Sequence, residues 1–185
     1  MQAVTMVSPK PPPSPPSLAS TQLNIVAVVD VAGILRTGCI TGKTALMDNG
    51  GDSTGKGTNV LRTVCRQGQV LNWLVYCSDM EKKPDGGWPP LARIVNIVFV
   101  HPDGTPQDRK ICNDLKVYGG PDKIRSRWTP SYYYWAGSIL FELEPGLYPY
   151  RLVFEIDTYD PNRKQYFNLD GPALDVTRLD GTTQT

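Results

Sequence analysis

The sequence predicts an all-β protein, a jelly-roll-like β-sandwich carrying a proline-rich N-terminal arm. Three observations support this. Eight or so short runs rich in β-branched and aromatic residues are separated by Gly, Pro, Asn and Asp; several alternate with the two-residue period of a strand; and no amphipathic helical stretch of ten residues or more interrupts them. At 185 residues, 40% hydrophobic and 20% charged, the chain suits one domain with its own core. Its 17 glycines and 17 prolines fall short of the roughly 25 to 30% that marks low-complexity chains, so they read as turn residues of a folded protein.

Residues 1–21 hold Pro9, Pro11, Pro12, Pro13, Pro15 and Pro16 interleaved with serine. Proline offers no N–H to a ladder and favours polyproline II, so this segment is either an extended spacer or an arm that docks on a subunit or an aromatic groove. At Leu23 the composition changes, and a β-sandwich domain is predicted over 22–180, with 181–185 as a short tail. Leu23 to Val31 is a β-branched run of the kind that forms a buried strand. Residues 33 to 57 carry seven glycines and predict a long irregular connection with one short edge strand, a length that usually signals function or mobility.

Thr58 to Cys65 alternates, and after the turn at Arg66 to Gln69 so does Val70 to Cys77, with Leu71, Trp73, Val75 and Cys77 on a common face; the pair reads as a hairpin. Turn chemistry from Glu81 to Pro90 precedes a strong strand from Leu91 to Val100. Leu115 to Tyr118 is a weak strand within a polar stretch. Gly137 to Leu143 and Leu147 to Thr158 flank Glu144-Pro145-Gly146 as a second hairpin, with Tyr148, Tyr150, Leu152, Phe154 and Ile156 on one face and Arg151, Glu155 and Asp157 on the other. Gln165 to Leu169 and Ala173 to Leu179 close the domain around Asp170-Gly171-Pro172.

Charge excludes one broad class of function. With 19 basic and 18 acidic residues there is no electrostatic footprint of a nucleic-acid binder. The first twenty residues lack the apolar stretch of a secretory signal, and the best apolar run, Ile25 to Leu35, is short and broken by Asp30; a soluble cytoplasmic protein without a membrane span is expected. Cys39, Cys65, Cys77 and Cys112 lie at wide spacings without a CxxC pair, the pattern of free thiols rather than a zinc or redox site.

Candidate chemistry is sparse. Gly38 to Thr44 approaches a phosphate-binding loop but has three residues, not four, between its first glycine and Gly42-Lys43. Gly50 to Gly57 has the right gap but ends in glycine, without the hydroxyl that would hold magnesium. His101 is the sole histidine and lies in a His-Pro-Asp-Gly turn, which leaves a nucleophile no base and a metal few ligands. Asp157, Asp160 and Asn162 do not match the spacing of a calcium loop and read as a solvated hairpin turn. No catalytic residue, metal or cofactor is predicted. The densest feature is aromatic: Trp128, Tyr132, Tyr133, Tyr134 and Trp135, with Trp88 in another turn-rich loop. A strand sends alternate rings to opposite faces, so some of these pack beneath a loop while others are available to a subunit interface or a stacked ligand such as a carbohydrate.

Four stretches taken together resemble the bacterial AidA/PixA inclusion-body protein family: Val28-Val29-Asp30-Val31, Gly55 to Leu61, Gly68 to Trp73, and Gln165 to Pro172. The similarity spans about residues 22 to 178 and departs from the family pattern at Leu169 and Gly171. It implies a jelly-roll-like sandwich that accumulates in the cytoplasm and self-associates in a host-associated or quorum-regulated setting, with no established catalytic site. The expected function is thus that of a non-enzymatic homo-oligomer. The alternative is a module that binds a carbohydrate or other small ligand through Trp88, Trp128 and the Tyr132 to Trp135 cluster.

Overall fold

A computed structural model of the chain describes residues 22–81, 83–119, 133–160 and 162–179. The arm and the tail expected from the sequence lie outside the described residues, as do Trp128 and Tyr132.

Among the described residues ten strands form two mixed sheets. The first has the order β2-β1-β4-β7-β6, from Thr44–Asp48, Leu23–Val29, Val70–Cys77, Tyr133–Ile139 and Cys112–Gly119. The second has the order β3-β10-β8-β5, from Arg62–Arg66, Ala173–Thr177, Gly146–Asp157 and Ala92–Phe99, with β9 (Lys164–Leu169) also paired to β8. The all-β expectation holds. Among the described residues no helix is long and apolar enough to cross a membrane.

Alternation placed the core faces correctly. In β8, Tyr148, Tyr150, Leu152, Phe154 and Ile156 are all buried, and Leu71, Trp73 and Cys77 of β4 face them from the other sheet. At the centre Trp73 meets Tyr150 edge to face at 6.1 Å, and Phe99 tilts against Tyr150 at 5.9 Å. Rings of this size contribute much of the apolar burial that holds two sheets together.

Both expected hairpins are instead links between the sheets. β3 pairs in parallel with β10, whereas β4 pairs with β1 and β7. The turn between them is tied to both layers: Gln67 N–H donates to Thr177 O and Gly68 N–H to Ile139 O. The segment from β7 to β8 crosses likewise, with Leu140 and Leu143 buried beneath it and Gln67 Nε2 donating to Leu143 O at 2.7 Å. The two inner faces carry the same apolar alternation, so a strand satisfies its pattern in either sheet, and the anchoring of the turn decides. A hairpin joins β8 to β9 through the turn expected around Asp160 and Asn162.

The glycine-rich connection is ordered by its own polar groups. Asp30 caps a seven-residue helix α1 (Val31–Thr37) by accepting Gly33 N–H at 2.8 Å, and Gly38 ends it in the left-handed conformation, φ 69°. The first near-match to a phosphate loop is therefore a helix C-terminus leading into edge strand β2.

The second near-match lies in a clasp over 49–60. Leu46 N–H donates to Thr58 O on the edge of β2, while Thr54 exchanges two bonds with Arg62 on the edge of β3. One loop thus closes the flank of both sheets. Lys56 does not await a phosphate: its ammonium reaches the carbonyls of Asp48 and Gly50 and lies 3.2 Å from the Asp48 carboxylate, which has no solvent exposure. Gly55 is required here by space as well as φ, since a Cβ would sit 2.6 Å from Val60 O.

Candidate functional site

An opening lies at one end of the sandwich, where the last residues of β4, the first of β5 and β7, and the β8–β9 turn meet around a cavity of about 580 Å³. Its floor is apolar. Val75 and Cys77 arrive from the inner face of β4, and Met80, Leu91 and Ala92 come from the link between β4 and β5 and the start of β5. Trp88 of that link and Tyr133 at the start of β7 are half-buried in its walls, and Tyr159 of the hairpin turn stands 71% exposed at its mouth.

One wall is fixed by a charge cluster spanning three strands. The register aligns Arg93 of β5, Glu155 of β8 and Tyr166 of β9 in a single line, so their side chains share a face. Glu155 accepts from Arg93 Nε at 2.7 Å, Lys164 Nζ at 2.6 Å and the Tyr166 hydroxyl at 2.7 Å. Asp157 adds a contact to Arg93 at 3.3 Å. Burial alone would raise the Glu155 carboxyl, but the three donors outweigh it and bring it down to about 2. The same bond raises the Tyr166 phenol. So held, the Arg93 guanidinium lies over the Tyr133 ring at 5.5 Å and joins the second sheet to the first across the groove wall.

On the opposite rim Lys83 lies 5.9 Å from the centre of the Tyr159 ring. Arg163 lines the groove from the hairpin turn, where its backbone N–H donates to Asp160 O. Among the described residues neither Lys83 nor Arg163 forms an ion pair.

Among the described residues no nucleophile is prepared in the groove. Cys77 accepts the Ala92 N–H at 3.2 Å and burial raises its thiol; Cys65 and Cys112, in the core, are pushed up to about 12 by the same cause. All four cysteines are free, as expected. His101 lies in an exposed turn closed by its own N–H to Thr105 O, away from the groove. Among the described residues no cluster of side chains has the composition of a metal site.

The aromatic residues singled out by sequence divide among three environments. Trp88 and Tyr133 line the groove. Trp135 faces inward and its indole N–H donates to Ile94 O at 2.8 Å, a structural bond to a bulge in β5. Tyr134 points to the opposite face of β7 and stacks on Tyr118 with centroids 5.3 Å apart. Sequence reasoning missed Tyr159, Arg93, Lys83 and Arg163, which lie on two stretches far apart in the chain, 83–93 and 159–163; the turn-forming residues at 81–90 and 158–163 were the available signal.

Fold and groove together define a small β-sandwich with a ligand-sized opening at one end. A similar fold is seen in the crystal structure of the inclusion body protein PixA from Burkholderia cenocepacia J2315, which aligns with a TM-score of 0.57 at 12% identity, covering 89% of this chain and 99% of that one. At that identity the likeness is one of fold. By sequence, the chain belongs to the family described as a domain of unknown function, DUF8788, which matches residues 21–162. No curated protein matches the sequence. The resemblance to the AidA/PixA family thus holds at the level of the fold.

Proposed function

We propose that this protein is a non-catalytic binding module whose groove holds a small ring-shaped ligand, a carbohydrate or another flat molecule. The observation that supports it is a groove of about 580 Å³ in which Trp88, Tyr133 and Tyr159 surround an apolar floor. That volume lies within the roughly 300 to 1,000 Å³ typical of small-molecule sites, and the mix of rings and a few fixed polar groups is their usual lining. A glycan array read together with tryptophan fluorescence tests it. Binding is expected to change the emission and to be lost in Trp88→Ala; an array without hits and an emission unmoved by saccharides and other flat ligands overturn the reading.

A second reading is self-association into a homo-oligomer, with the sandwich at 22–180 as the assembling unit and the arm and tail outside it, accumulating in the cytoplasm. The fold likeness to an inclusion body protein supports it. So does the outer face of the first sheet, where the register aligns Met47, Val26, Leu74, Tyr134 and Tyr118 in one row across all five strands. Met47 is 40% exposed and Tyr118 37%, and apolar rows of this kind mark contact surfaces. Size-exclusion chromatography with light scattering over rising concentration tests it, and a strict monomer throughout overturns it.

A further inference from the structure

We infer that the groove selects a ring-bearing anion, a carboxylate or sulfonate carried on a flat apolar body, with Lys83 and Arg163 as the side chains that meet its charge. This rests on the ligand-binding reading above and adds the class of ligand.

Most charges around the groove are already committed to one another. Arg93 and Lys164 are both committed to Glu155, with Asp157 beside them at 3.3 and 3.8 Å. Glu155 is in turn saturated by three donors, so it offers nothing to an incoming cation. What remains at the mouth is Lys83, Arg163 and Asp160. The Asp160 carboxylate already accepts the Asn162 N–H at 3.0 Å within its own turn. The two cations have no carboxylate partner among the described residues, and Lys83 is set against the Tyr159 ring at 5.9 Å. A ligand entering here meets a surplus of positive charge at the rim and hydrocarbon below, at Val75, Met80 and Leu91.

A neutral sugar satisfies the rings but leaves the two cations unanswered, and a cationic ligand meets them in repulsion. An anion with an apolar body satisfies floor and rim together. Two exposed charge contacts together are expected to give on the order of a tenfold preference.

The test compares two probes with one aromatic skeleton: 1-anilinonaphthalene-8-sulfonate and N-phenyl-1-naphthylamine, which lacks the sulfonate. Each is titrated against the full chain by fluorescence enhancement, with circular dichroism confirming that every variant is folded. The wild type is expected to bind the sulfonate about tenfold more tightly, less so as salt is raised. The double variant Lys83→Gln, Arg163→Gln is expected to bring the two dissociation constants within about twofold, and Trp88→Ala to weaken both probes. Equal binding by the wild type, or a preference that survives the double variant, overturns the anion assignment while leaving the groove as a binding site. Failure of both probes to bind, or binding indifferent to Trp88→Ala, overturns the groove reading together with it.

Discussion

Replacing Glu155 with glutamine removes the charge at the centre of the Arg93, Lys164 and Tyr166 cluster while keeping its shape. An ordinary glutamate near 4.5 is held at about 2 in the folded protein, which at about 1.4 kcal/mol per pH unit corresponds to about 3 kcal/mol. Lys164 is 41% and Arg93 25% exposed, so water screens these pairs and about 2 kcal/mol should survive. The sign follows from the direction. A carboxyl lowered on folding stabilises the native state above its unfolded value, near 4.5, and that contribution is lost as pH falls towards 2. At pH 7, Glu155→Gln should therefore cost about 2 kcal/mol, or roughly 4 to 8 °C in Tm for a domain of this size. Urea unfolding at steps between pH 7 and 2.5 should show the wild-type and variant curves converging at the acid end. Parallel curves, with the same deficit at pH 3 as at pH 7, would refute the assignment of this carboxylate as the one the three donors hold ionised.

Two further substitutions test the packing. Lys56→Met leaves the unexposed Asp48 carboxylate with Gly50 N–H and the Thr63 hydroxyl as partners, and should cost about 2 to 4 kcal/mol with faster amide exchange over 49–60; a loss below about 0.5 kcal/mol by thermal unfolding means that the loop is not clasped through this lysine. Tyr150→Phe removes a buried hydroxyl that makes no well-formed hydrogen bond among the described residues, the Trp73 indole being its polar neighbour, and keeps the ring against Trp73 and Phe99. Stability measured in urea should be unchanged or rise by up to about 1 kcal/mol, and a loss above about 1.5 kcal/mol shows that the hydroxyl is satisfied.

Which face each strand buries was legible because burial imposes a period of two on any half-buried strand, and β8 obeys it at five successive inner positions. Which strand lies beside which was not. β1 pairs in parallel with β4, more than forty residues on, and no local signal encodes a partnership made by tertiary closure. Helix α1 was missed because seven residues lie far below the length at which periodicity or propensity speaks, although Asp30 before it and Gly38 after it are ordinary cap residues. The groove was half legible. Trp88 and Tyr133 were visible as aromatic residues in turn-rich surroundings, but the cations and Tyr159 reach it from separate loops, and only the fold sets them around one space.

The treatment of sheet edges bears on how copies of this chain could associate. An open strand edge is a ready template for pairing with another chain, and here most edges are covered or bent, with β9, which among the described residues pairs only with β8, as the exception. The clasp over 49–60 covers β2 and β3. Outward groups of β5 are taken up by Cys77 Sγ on Ala92 N–H, the Trp135 indole on Ile94 O, Asn96 Oδ1 on Ile97 N–H and Gln107 N–H on Phe99 O. β6 is bent by an irregular register at Asp114, whose φ of 50° no regular ladder accepts. Strand addition is thus disfavoured at β2, β3, β5 and β6; besides the outer edge of β9, apolar face contacts such as the row from Met47 to Tyr118 are the surface left to assembly. A deposit built that way consists of native sandwiches. Its amide I band should match that of the soluble protein and it should bind no thioflavin, whereas an assembly grown through strand edges would fail on both counts.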